Sequence, residues 1–189
     1  KEPEFRADII EPGLPETPEM QAGSSGYTVT RSGQTITNFS QLPAHHTYQR
    51  SKDGRGALVQ DFTLYKNKKF FGIPVPSPVS GKVSWAGPAG GGGNWVELMS
   101  DSGQKVELGH FDKIGVKAGQ TVKAFSTSLG TQGFTGNIRP KNKDGTHVHM
   151  QAPDDVMKRY VNTLAKYQYG GLVRGPGGID KVPAMLPAG

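Results

Sequence analysis

The chain has 189 residues, enough for one domain of ordinary size with room for extended ends. Its 27 glycines and 14 prolines, set against 34% hydrophobic residues, exclude a fold built on long buried helices and favour short strands and turns. There is no cysteine, so disulfides, thiolate metal ligands and cysteine nucleophiles are excluded together, and a metal site would have to use histidine and carboxylate. The formal net charge of +6 would suit an anionic partner, yet the cations are scattered. The densest groups, Lys66, Lys68 and Lys69 and then Arg139, Lys141 and Lys143, read as solvated surface, and no nucleic-acid partner is expected. No apolar run approaches the roughly 20 residues that span a bilayer, so no membrane insertion is expected.

Residues 1–26, rich in Pro, Glu and Gly without apolar periodicity, read as an extended arm or linker, and 171–189 read as a C-terminal tail. Between them, residues 27–170 form the expected domain. Strand character runs through 27–31, 58–64, 81–86, 95–100, 105–110, 120–123 and 146–151, punctuated by Gly, Asp and Ser clusters at hairpin intervals. The expected class is mainly β, an antiparallel sheet. One helix is expected from Asp154 to about Gln168, opened by Pro153 and the Asp154–Asp155 pair. Its Met157, Tyr160, Val161 and Leu164 have the spacing of a core-facing stripe. The run "GPAGGGGNW" lacks the Gly-Lys-Ser/Thr ending and the following helix of a phosphate loop, and reads as a flexible hairpin connection at a groove wall.

The chemistry lies with the histidines. His147 and His149 occupy alternate positions of a strand-like run, so their side chains share one face while Val148 points the other way. An isolated His-x-His is more often surface decoration than a site. His110, which ends the strand-like "KVELGHF", can bring a third imidazole to that face, and "HHTYQRSKDGRGALVQDFTL" supplies His45, His46 and Asp61. A carboxylate among apolar β formers requires a cation, hydrogen bonds or exposure to water to offset its burial.

In these pieces the chain resembles the lysostaphin-type or LytM-type zinc metallopeptidases, which cut peptidoglycan peptides. His46 and Asp61, "PVPSPVSGKVSWAG", "VELGHFD", "VKAGQTVKAFSTSLGTQGFTG" and "THVHMQ" follow the family's order over residues 43 to 152. The resemblance implies a LytM/lysostaphin-like fold, related to the barrel-sandwich hybrid, with long groove-forming loops and one C-terminal helix. It implies one Zn2+ held by His46, Asp61 and His149, with His110 and His147 as the catalytic pair, their individual roles open. The implied function is a zinc endopeptidase acting on the stems or cross-bridges of peptidoglycan, outside the cytoplasm or carried in a phage particle. The Pro-rich flanks and the start without methionine fit a piece of something longer.

Three departures accompany the match. Many members separate the first His and the Asp by three residues, whereas fourteen intervene here, as in the longer-spaced branch, and His45 remains an alternative ligand. Phe125 stands where the pattern Val-x-x-Gly-x-x-Val-x-x-Gly has its second glycine, and "NIRPKNKDG" lengthens the loop before His147, where it would border the groove and alter substrate choice. Two rival readings are a LytM-type module that binds wall or a partner without cleaving, and a lipoyl-type carrier. The carrier reading rests on the similar glycine spacing around Lys113 and leaves the histidines and Asp61 unexplained.

Overall fold

The computed structural model describes residues 26–42, 47–48 and 57–166. His45 and His46 lie outside these residues, as do the expected tail and all but the last residue of the expected arm. The described part is antiparallel β with one helix.

Strands β1 (Thr28–Arg31) and β2 (Gln34–Ile36) form a hairpin whose two-residue connection, Ser32 and Gly33, has positive φ at both positions, the turn that matches strand twist. β1 then pairs with the long β4 (Ala57–Tyr65), as does the two-residue β3 (Thr47–Tyr48). Strands β6 (Gly81–Pro88), β7 (Asn94–Ser100) and β8 (Lys105–Ile114) form a meander. The short β9 (Thr121–Val122) lies against β6. β11 (Val148–Ala152) inserts between β4 and β8, which gives the order β2-β1-β4-β11-β8-β7-β6-β9. β10 (Ser128–Gln132) bridges β5 (Pro74–Pro76) and β8.

β2, β3, β5 and β10 are absent from the sequence expectation. β10 reads Ser-Leu-Gly-Thr-Gln, without apolar alternation, and is a strand through tertiary fit. Its Gly130 lies so close to the Lys113 carbonyl that a Cβ would come within 2.2 Å. Its Gln132, 1% exposed, accepts from the Leu64 N–H and donates to the Leu64 and Phe70 carbonyls, supplying partners where β4 leaves the ladder.

Helix α1 (Asp154–Lys166) has the expected acidic first turn, and Val156, Met157, Tyr160, Val161, Leu164 and Ala165 are buried. Tyr160 anchors it. Its ring meets Phe62 and Phe125, and its hydroxyl donates to the Pro76 carbonyl at 2.8 Å. Val148, Met150 and Ala152 face the same core, so the helix covers one side of β11 and leaves His149 and Gln151 on the other. Truncating Leu164 to alanine in this core would remove about 2–5 kcal/mol.

Candidate metal centre and histidine cluster

The central strands place the site residues in one row. In the register, His149 on β11 lies opposite Asp61 on β4 and, on its other side, opposite Gly109 on β8. The row continues to Trp95 on β7, which faces a β-bulge in β8: Asn94 pairs with Phe111 and Val96 with Leu108, so β8 carries one extra residue between them. His110 belongs to this bulge and has φ 67°, a left-handed conformation that non-glycine residues rarely adopt. Asn94 holds the bulge, its side-chain amide donating to the carbonyls of Phe111 and Asp112 at 3.0 Å each.

Four of the five expected site residues are described, and they lie together. The His149 Nδ1 and Asp61 Oδ1 atoms are 2.7 Å apart, and His147 Nε2 stands 3.9 Å from the same oxygen. The His110 ring is centred 4.8 Å from His147 and 5.6 Å from His149, edge-on to both. The shared face of His147 and His149 follows from strand alternation, while the approach of His110 comes from the bulge.

Hydrogen bonds fix the tautomers of the outer pair. His110 Nδ1 is 2.9 Å from the Thr135 carbonyl and His147 Nδ1 is 2.7 Å from the Gly145 carbonyl. A carbonyl only accepts, so both Nδ1 atoms carry the proton and donate it, and both rings keep Nε2 as their free nitrogen. Burial, with the charge of His147, pulls the His110 pKa down to about 4 against the opposing hydrogen bond to Thr135, so its imidazole is neutral at pH 7.

Asp61 is ionised. Burial raises its pKa, but the hydrogen bond and charge of His149, with the charges of His147 and Arg31, outweigh that and hold it down at about 2. Arg31 also donates to the backbone carbonyl of Asp61. An ionised oxygen facing an imidazole nitrogen is a donor pair suited to a hard or borderline divalent cation, and Asp61 and His149 could share one. Gln151 lies 3.1 Å from the other nitrogen of His149 and can serve it with either end of its amide, the outer support a ligating imidazole needs. Among the described residues no group of three or more such side chains could hold a metal. The third expected ligand, His46, falls outside them; the next residue, Thr47, pairs with Leu58, three residues from Asp61 on β4.

Trp95, Gly109 and Thr135 belong to the site without having been singled out for it. The Trp95 ring lies 5.4 Å from the His149 ring, reaching across β8 above Gly109, where a Cβ would come within 2.2 Å of the indole. The tetraglycine connection is a close-packed wall: a Cβ on Gly92 would strike Trp95, one on Gly93 would strike Thr135, and the Asn137 N–H donates to the Gly91 carbonyl. The glycines permit this approach.

A family model described as Peptidase family M23 matches residues 64–163, a span that holds His110, His147 and His149 and begins three residues after Asp61. The match covers more than half of the chain, which therefore belongs to peptidase family M23. Among solved structures, the catalytic domain of the antimicrobial peptidase lysostaphin from Staphylococcus simulans is 33% identical over 49% of this chain and 62% of its own, with a TM-score of 0.41. The prophage-encoded M23 protein EnpA from Enterococcus faecalis is 26% identical over 48% and 62%, TM-score 0.39. A zinc-containing peptidase from Vibrio cholerae is 28% identical over 58% and 32%, TM-score 0.43. The chain spans less than two thirds of each of these proteins.

Proposed function

We propose that the chain is a zinc-dependent endopeptidase that hydrolyses peptide bonds in the stems or cross-bridges of bacterial peptidoglycan, acting outside the cytoplasm or as the lytic part of a phage particle. The observation that carries the reading is the meeting of Asp61 with His149 beside two imidazoles that both keep Nε2 free. His46, Asp61 and His149 would hold the zinc. Bound there, zinc supplies Lewis-acid polarisation of the scissile carbonyl and makes a water molecule acidic near neutral pH.

The remaining work falls to the chain's own groups. His110 and His147 present Nε2 atoms as neutral acceptors, so one takes the proton of the attacking water and delivers it to the departing amine. The other, once protonated, donates to the oxygen on which charge develops. The Thr135 and Gly145 carbonyls keep each ring in the required tautomer and orientation.

Two measurements test this. Metal analysis of purified protein should find about one zinc per chain, lost in His149→Ala and kept in His147→Ala. Incubation with purified sacculi should release new amino termini, and both variants should abolish that release. A chain that takes up no zinc at neutral pH would sink the proposal. A chain that binds zinc and wall but releases no termini is the non-cleaving module instead.

A further inference from the structure

The loop between Thr135 and Gly145 has a role beyond framing the two histidines. Its first carbonyl accepts from His110 and its last from His147, so the nine residues between them border the reaction centre at both ends. The loop is built rather than loose. Ile138 is 5% exposed, and Gly145 packs so closely that a Cβ would come within 2.1 Å of the Pro140 carbonyl. Gly136 presses on the Gly91–Gly93 backbone. The Asn142 side chain accepts from the Asp144 N–H and closes the 3-10 turn Lys143–Gly145.

Within this frame residues 136–141 line a cavity of about 700 Å3. The lining holds two cations, Arg139 and Lys141, and no carboxylate. Neither forms an ion pair among the described residues, whereas the neighbouring Lys143 lies over the Phe71 ring. Two unpaired like charges around one concavity raise the local potential for an anion. A volume in the usual range of ligand sites admits a peptide side chain or chain end.

We propose that this cavity is a substrate subsite that takes a carboxylate of the peptide being cleaved, held by Arg139 and Lys141. The inference rests on the peptidase reading of the histidine site, and it assigns to the lengthened loop a specificity for acidic over amidated peptides.

The test uses the zinc-loaded chain and two synthetic cell-wall stem peptides that differ only in one carboxyl being free or amidated. Wild type should cleave the free acid with a kcat/KM about fivefold or more above the amide. Arg139→Gln with Lys141→Gln should bring that ratio near one, and the double Glu variant should invert it. Independently of turnover, the free-acid peptide should shift the backbone amide resonances of residues 136–141 more than its amide does. Cleavage of both peptides at equal rates by wild type overturns the subsite and leaves the peptidase standing. Shifts in 136–141 without cleavage keep the subsite and remove the peptidase. Weaker retention of the Gln variant only on sacculi that carry phosphate polymers, with the peptide ratio unmoved, would assign the cavity to a wall polyanion and overturn the proposal.

Discussion

Replacing Gly109 with alanine tests whether the row Asp61, His149, Gly109, Trp95 is held by packing. The backbone at Gly109 does not have positive φ, so alanine meets no conformational penalty there. In a strand the exchange would by itself stabilise by about 0.5–1 kcal/mol. The obstacle is the indole: a Cβ would stand 2.2 Å from two ring carbons of Trp95 and 3.3 Å from the Gly92 carbonyl. Apolar carbons settle near 3.5 Å, so the ring must retreat by about 1.3 Å and give up its place against His149. Overpacking of this kind costs about 1–3 kcal/mol, enough to reverse the propensity gain.

The assay is a double-mutant cycle by urea denaturation of metal-free protein: Gly109→Ala, Trp95→Ala and the pair. With the indole gone, the alanine has nothing to strike and its effect should turn neutral or stabilising, a coupling of about 1–2 kcal/mol. Zinc affinity, read by competition with a chromophoric chelator, should fall roughly tenfold in Gly109→Ala because His149 loses its flanking ring. If alanine destabilises the Trp95→Ala protein as much as wild type, the packing argument is refuted.

Three further outcomes follow from the geometry. For His110, the folded pKa of about 4 lies below the ordinary 6.5, so the unfolded chain binds a proton in that window and the folded chain does not. Stability of the metal-free protein is therefore full above about pH 6.5 and falls toward pH 4 by up to about 3 kcal/mol; His110→Asn, which tolerates the left-handed backbone, should flatten that slope in pH-dependent urea melts. Asn94→Asp turns a donor to two carbonyls into an acceptor facing them, so at pH 7 it should destabilise more than Asn94→Ala, itself about 1–2 kcal/mol, and the excess should shrink as the acid protonates. Phe125 has φ 58°, and its ring stacks on Tyr160, so denaturation should find Phe125→Ala less stable than Phe125→Gly by about 1 kcal/mol, both falling below wild type.

What was legible in the sequence is what depends on near neighbours in the chain. The i, i+2 spacing put His147 and His149 on one face, and the apolar stripe from Met157 to Leu164 announced a packed helix. Phe125 shows a local departure acquiring its physical meaning. The pattern has a glycine there because the backbone is left-handed, and the aromatic ring offsets that strain by stacking in the core. The unread part is cross-strand. The contact of His149 with Asp61 joins residues 88 apart and depends on β11 entering between β4 and β8. A glycine inside a strand already signals a close approach, but not the identity of the group that approaches. At Gly109 it is Trp95, a residue whose position in the chain marks it only as an apolar strand residue. The next residue, His110, is turned toward the other histidines by a bulge that composition and alternation do not encode. The ligand pair and its support thus become a single unit only when four strands stand in register, so substitutions at Gly109 and Trp95 should perturb metal binding although neither residue has an atom that could coordinate it.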